Sequence, residues 1–471
     1  RYKVVQAKSS MVVADLEASD DAIEGPVVAL MTEPTFLLRY RNCTMVLDDG
    51  KKIQCARAWL DWPGRMTYEG ITVDPTGERR PNMLNLWQGF TVEPLEGDCS
   101  MQLDYRLRLI CGNDKESFEY LLNLEAFIVQ NPEKLLRVAI VLLGDEGVGK
   151  STLANMMGSF FGSGYKRISH QSMLSNRFNA FLLNTLVLFV DEATWPGDKA
   201  GEGYVKSIIT DSQMMLELKG VDPYPMQNRA KLILSSNMPY VVPAGLADRR
   251  WAPFRVSDER KQDANYFKDL EHNWNHEGAK EAYLHLLLHR DISNFDPTRD
   301  RPRRVIGELW LQKMYHMNPV ESWWYQVLAR GSLFDGGIPG TAPQWPTEVR
   351  LEELFRSYRH HFEQCSSNKA AMIKNPQLLW NELKNRMLPE GDYNRRCASM
   401  GWGERRNTYP LPTLQDCRTH YASRVTQTPY DIVFPEEDQQ GGTPSGVKPA
   451  SGEENMATVF EDQPGREPTS P

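Results

Sequence analysis

The sequence predicts an α/β protein whose core is a mainly parallel sheet covered by helices, and three observations predict it. Apolar strand-like runs alternate with helical segments over residues 131–260. A glycine-rich turn joins the first of these strands to the first of these helices. The second strand ends on two adjacent acids, Asp191 and Glu192.

The elements follow in order. Residues 1–36 mix apolar residues with Asp15, Glu17, Asp20, Asp21 and Glu24 and read as a linker or the end of an upstream domain. Residues 37–112 are rich in aromatic and β-branched residues and predict short strands within a small α+β region that extends to residue 130. From Ser117 to Gln130, Leu121, Leu122, Leu124, Phe127 and Ile128 recur at helical spacing, and Pro132 ends that helix. The core then reads as strand Arg137–Leu143, helix Lys150–Phe161, strand Thr185–Val190, helix Tyr204–Thr210 and strand Lys231–Ser235. Residues 261–344 form a helical lid and connector, with helix predicted over 262–292. Residues 345–430 form a C-terminal unit with helices over Val349–Phe362 and Gln377–Met387. Residues 431–471 are rich in Pro, Gly, Ser and Glu and read as a disordered acidic tail.

Bulk properties bound the function. A chain of 471 residues is too long for one core. Its 41% hydrophobic and 25% charged residues suit a globular protein, and no apolar run reaches the roughly 18 residues of a membrane span. The chain starts at Arg1 with no Met or apolar leader, as expected of a fragment or processed product. None of the seven cysteines is spaced as C-x-x-C, which argues for reduced thiols in a cytoplasmic setting and against zinc. Net charge is −8, of which −7 falls between Asp431 and Pro471. A protein coated with DNA would be basic. A ring that holds DNA in a narrow channel needs only a few cationic loops.

Gly144-Asp145-Glu146-Gly147-Val148-Gly149-Lys150-Ser151 fits the phosphate-loop pattern G-x-x-x-x-G-K-[ST], between a buried strand and a helix that continues through Thr152. Glycines let the backbone turn its N–H groups onto phosphate oxygens, and the helix adds its positive end. Lys150 is expected to reach the β- and γ-phosphates of ATP, and Ser151 to hold Mg²⁺. After the apolar strand Leu186–Val190, Asp191 is assigned to the metal and Glu192 to polarising the attacking water. Asn237, just past a third strand, can position that water. Arg249 or Arg250 can stabilise charge on the γ-phosphate, from the same or a neighbouring subunit.

The order of these elements resembles superfamily 3 helicases, which are AAA+ ATPases, and within them the phage, plasmid and poxvirus-type primase-helicases. Lys206-Ser207-Ile208-Ile209-Thr210-Asp211, Met214–Leu218 and Lys219-Gly220-Val221-Asp222-Pro223 correspond to the segment before the water-positioning strand, with support from Arg177-Phe178-Asn179, Tyr68-Glu69-Gly70 and Asn85–Phe90. The resemblance implies an AAA+ core and ATP-dependent unwinding in DNA replication. It also implies a homo-hexamer around single-stranded DNA and a β-hairpin whose tip, Lys219 and Gly220, together with Lys206, grips the phosphate backbone without reading sequence. It further implies a winged-helix-like C-terminal unit and a primase domain or other replication partner. The alternative is an AAA+ ATPase that remodels, loads or packages without unwinding. Other features have blander readings: Trp323-Trp324-Tyr325 as core and the pairs His272/His276 and His285/His289 as helix faces. The Arg299–Arg304 run reads equally as a solvated loop or a DNA contact.

Overall fold

The computed structural model describes residues 1–435 apart from 8–9, 18–19, 22–24, 27, 76–79, 170–173, 175–178, 194–198, 218–222, 239–240, 335–344, 366–371 and 400–404. The acidic tail beyond 435, the tip residues Lys219 and Gly220, and Arg177 and Phe178 lie outside the described residues. The chain divides into two compact units, Arg1–Pro243 with Arg249–Leu309, and Ala244–Asp248 with Trp310–Pro471.

The first residues are not a linker. Strands β1 (Tyr2–Ala7) and β2 (Ser10–Asp15) pair antiparallel. They are flanked by β3 (Ala29–Met31) and β4 (Thr67–Tyr68) in the order β3-β2-β1-β4. Val4, Val5, Val12 and Val13 are all buried. These two β-branched runs drive the pairing, outweighing the acids around them. One of those acids, Asp15, is itself buried and bridged by Arg1 at 2.8 Å and Arg39 at 3.0 Å. Residues 37–112 also contain more helix than their composition predicts, including Cys55–Asp61, Ser100–Asp104 and Tyr105–Ile110.

Helix α1 (Lys115–Gln130) starts at Asp114, whose side chain accepts from the Ser117 N–H. The core follows: β5 (Ala139–Leu143), α2 (Lys150–Gly158), β6 (Tyr165–Ile168), β7 (Val187–Val190), α3 (Lys199–Thr210), β8 (Gln213–Leu216), β9 (Tyr224–Gln227), β10 (Lys231–Ser236) and β11 (Trp251–Arg255). Five of these strands form a parallel sheet in the order β6-β7-β10-β5-β11. Every residue of β5, β7 and β10 is buried, as continuous apolar runs in a sheet covered on both faces require. β8 and β9 form a separate antiparallel hairpin. Asn228 ties the hairpin's exit to α3, donating from its side-chain amide to Ile208 O at 2.8 Å and Asp211 O at 2.9 Å. Gly278, at φ +79°, breaks the predicted 262–292 helix into α4 (Ala264–His276) and α5 (Ala279–His289). Helix α6 is Arg303–Tyr315.

The second unit is winged-helix-like. Helix α7 (Pro319–Arg330) is closed by an Asn318/Glu321 capping box. After it come β12 (Glu348–Val349), α8 (Leu351–Cys365), α9 (Pro376–Arg386), β13 (Arg396–Ser399) and β14 (Arg405–Pro410), with sheet order β12-β14-β13. Trp323 and Trp324 are fully buried, and the Trp323 indole donates to Ser357 Oγ at 3.0 Å, so these rings are core and not base-stacking platforms. Among the described residues, no helix is long and apolar enough to cross a membrane.

Candidate nucleotide site

The phosphate loop begins where β5 ends. Gly144, Gly147 and Gly149 have φ of +151°, +78° and +97°, values that side chains strain to adopt. Space is short as well: a Cβ on Gly149 would lie 2.6 Å from the Phe267 ring and 3.5 Å from the Tyr105 ring. Tyr105 donates through Oη to Gly149 O at 2.7 Å. Gln262 N donates to Gly147 O at 2.9 Å, and Lys261 Nζ reaches Asp145 Oδ2 at 2.6 Å. The loop is thus held from outside by the start of α4 and by the Tyr105–Ile110 helix. That helix is anchored in turn by the buried Arg106–Glu125 pair at 2.8 Å, with Tyr283 also donating to Glu125.

Lys150 opens α2 and is 7% exposed. Its ammonium donates to Gly144 O and Asp145 O at 2.6 Å and to Asn237 Oδ1 at 2.7 Å. Burial holds its pKa below the usual 10.5, against the pull of Asp191, Asp145, Glu146 and Glu192. Ser151 Oγ lies 3.4 Å from both carboxylate oxygens of Asp191. The structure therefore brings Lys150, Ser151, Asp191 and Asn237 to one edge of the sheet. Glycine curvature, a hydroxyl facing a carboxylate, and a cation at the loop's mouth make a donor set that fits a triphosphate with Mg²⁺.

Asp191 and Glu192 point differently because of strand order. Asp191 N donates to Ile168 O on β6 at 2.9 Å, whereas Ala193 N donates to Ser235 O on β10 at 2.9 Å. The switch between neighbours is absorbed by Glu192, at φ +53° and exposed to solvent. A non-glycine residue in this region is uncommon and is often found where function requires it.

Sequence reasoning missed two partners of Asp191. Arg167 Nη2 lies 2.6 Å from Asp191 Oδ2, and Ser235 Oγ donates to Asp191 Oδ1. No local pattern marks them: each becomes a neighbour only through strand pairing. Tyr105, on a helix, and Lys261, in a turn, meet the loop only through tertiary packing and were missed as well.

Arg249 and Arg250 are not in this cluster. In the β5–β11 register Ala139 faces Trp251 and Leu143 faces Arg255, so the two arginines precede β11 at the sheet edge away from the phosphate loop. At about 3.3 Å per residue, the length of the strand separates them from the loop of their own chain. Lys206 lies half-buried on α3, outside the cluster.

Residues 142–250, which contain the whole cluster, match a family described as Family of unknown function (DUF5906). A curated relative, the DNA primase-polymerase of Nitratiruptor phage NrS-1, is 26% identical over 152 residues. That match spans 32% of this chain and only about a fifth, 21%, of the relative. The apo structure of the NrS-1 C-terminal region (305–718) superposes with a TM-score of 0.61 at 15% identity, covering 87% of this chain and 96% of that one. A second apo form of the same region gives 0.59 at 14% identity. The chain is thus similar in sequence to a phage primase-polymerase and has the fold of the C-terminal region of NrS-1.

Proposed function

We propose that this chain is an ATP-hydrolysing nucleic-acid helicase of the superfamily 3, AAA+ kind, acting in phage DNA replication. The phage role follows from the similarity to the NrS-1 primase-polymerase. The motor reading rests on one observation: the Lys150 ammonium, the Ser151 hydroxyl, the Asp191 carboxylate and the Asn237 amide meet at the mouth of a glycine-rich loop.

In this reading Lys150 exchanges its loop carbonyls for the β- and γ-phosphate oxygens of ATP. Ser151 and Asp191 would hold Mg²⁺, which supplies positive charge to those oxygens when bound. Glu192, turned into solvent, accepts the proton of the attacking water, and Asn237 orients that water. Arg249 or Arg250 completes the site of the adjoining subunit in a homo-hexamer. The β8–β9 hairpin grips single-stranded DNA in the channel through Lys219 and Gly220, with Lys206 as a further contact.

The test is the ATPase rate of the chain with and without single-stranded DNA, alongside ATP-dependent strand displacement. Lys150→Ala is expected to abolish nucleotide binding. Glu192→Gln should keep ATP binding but hydrolyse roughly 10²–10⁴-fold more slowly. Ordinary turnover by the Gln variant would remove the base assignment. Hydrolysis without strand displacement would favour remodelling or loading over unwinding.

A further inference from the structure

Two thiols stand opposite each other in a part of the chain that the motor reading does not use. Strands Thr44–Val46 and Lys52–Gln54 pair antiparallel, with Thr44 against Gln54 and Val46 against Lys52. Continued by one residue, that register sets Cys43 against Cys55, and Cys55 N donates to Cys43 O at 2.9 Å. Opposite residues joined in this way hold their Cα atoms about 5.5 Å apart, within the span that a disulfide bridges. The side chains meet as well: a hydrogen bond with Cys43 raises the pKa of the Cys55 thiol.

The two thiols differ in access. Cys43 is exposed, whereas Cys55 is half-buried at the start of the helix Cys55–Asp61. An accessible sulfur beside a shielded one that keeps its proton is the arrangement in which one thiol attacks and the other resolves. The hairpin between them has little else to hold it. Each residue of Thr44–Val46 is exposed, Val46 at 61%, and a two-stranded hairpin alone is marginal in water. The helix beyond is better fixed, its Trp59 ring 5.4 Å from Phe36 and 6.2 Å from Tyr2.

We infer that Cys43 and Cys55 form a reversible disulfide, by exchange with a low-molecular-weight disulfide, that staples this hairpin to the helix. The Cys43 thiolate attacks one sulfur of the small disulfide, whose S–S bond breaks as one small thiol leaves. Cys55 then loses its proton to solvent, attacks the Cys43 sulfur and expels the second small thiol. The protein gives up two electrons and two protons, and the small disulfide takes them up as two thiols. Cys99, Cys111 and Cys417 are buried, and burial pushes their thiols up, so they serve as internal controls. The inference does not depend on ATP hydrolysis.

The experiment equilibrates the whole chain with reduced and oxidised glutathione, quenches with acid, alkylates free thiols and maps tryptic peptides by mass spectrometry. Cleavage after Arg41, Lys51, Lys52 and Arg57 puts the two cysteines on separate peptides, 42–51 and 53–57. The expected product is these two peptides joined, short of two hydrogens, from a chain that runs as a monomer on a non-reducing denaturing gel. Dithiothreitol should separate them. Cys55→Ser should stop at a glutathione adduct on Cys43. The urea-unfolded chain should give at least roughly tenfold less linkage at the same glutathione ratio, because nothing then holds the ends of the loop together. Amide exchange over residues 44–54 should slow on oxidation in the parent and stay unchanged in Cys55→Ser. A parent chain that stalls at the glutathione adduct, links between chains, links equally well in urea, or exchanges these amides at the reduced rate after oxidation would overturn the proposal.

Discussion

Gly149 is tied down by both backbone and surroundings, with φ of +97° and the Phe267 ring where a side chain would go. Gly149→Ala is expected to cost about 1–3 kcal/mol of stability and to lose nucleotide binding, read by melting and nucleotide titration. Lys231 poses a different residue-scale problem. It is 1% exposed and donates to Pro132 O, and burial brings its pKa down to about 7. Between about pH 7 and its usual 10.5 the unfolded chain holds the proton and the folded chain does not. This group's contribution to stability therefore rises with pH across that window. Lys231→Met should accordingly melt higher relative to the parent near pH 7, and that advantage should shrink toward pH 10. An advantage that grows with pH would contradict the buried neutral lysine. Lys150, Ser151, Asp191 and Asn237 were legible in the sequence because each closes a contiguous strand-and-turn pattern. Arg167 and Ser235 were not, since they meet Asp191 only through pairing across β6, β7 and β10.

At the scale of elements, three of the five sheet strands, β5, β7 and β10, were readable because buried parallel strands are largely apolar runs bounded by turns; β6, which carries Lys166 and Arg167, and β11, which carries Pro253, lack that pattern and were not read. Boundaries moved by a few residues, as at β5 and α3, where packing decides the ends. The N-terminal hairpin was misread because Asp15 and its acidic neighbours suggested solvent, whereas Arg1 and Arg39 neutralise Asp15 in the fold. Val5 of β1 is fully buried, so Val5→Ala should cost about 2 kcal/mol in chemical denaturation. No change would restore the linker reading. The β8–β9 hairpin stands where the resemblance puts it, while its tip lies outside the described residues.

At the scale of the whole molecule, Arg249 and Arg250 stand at the sheet edge opposite the phosphate loop, which on the proposed function makes the site one shared between chains. Lys150→Ala chains and chains carrying Arg249→Ala with Arg250→Ala should each be inactive alone. Mixed, they should recover part of the ATPase rate, because some adjoining pairs then combine an intact lysine with intact arginines. No recovery on mixing, with both variants folded, would count against a shared site. The central strand has a mechanical consequence of its own. β10 leaves the hairpin after Asn228, which is clamped to α3, and runs straight to Asn237 beside the lysine. Three residues, Asn228 to Ala230, separate the two strands. On the proposed function this segment would act as a pushrod, with little slack between its end beside Lys150 and the base of the hairpin.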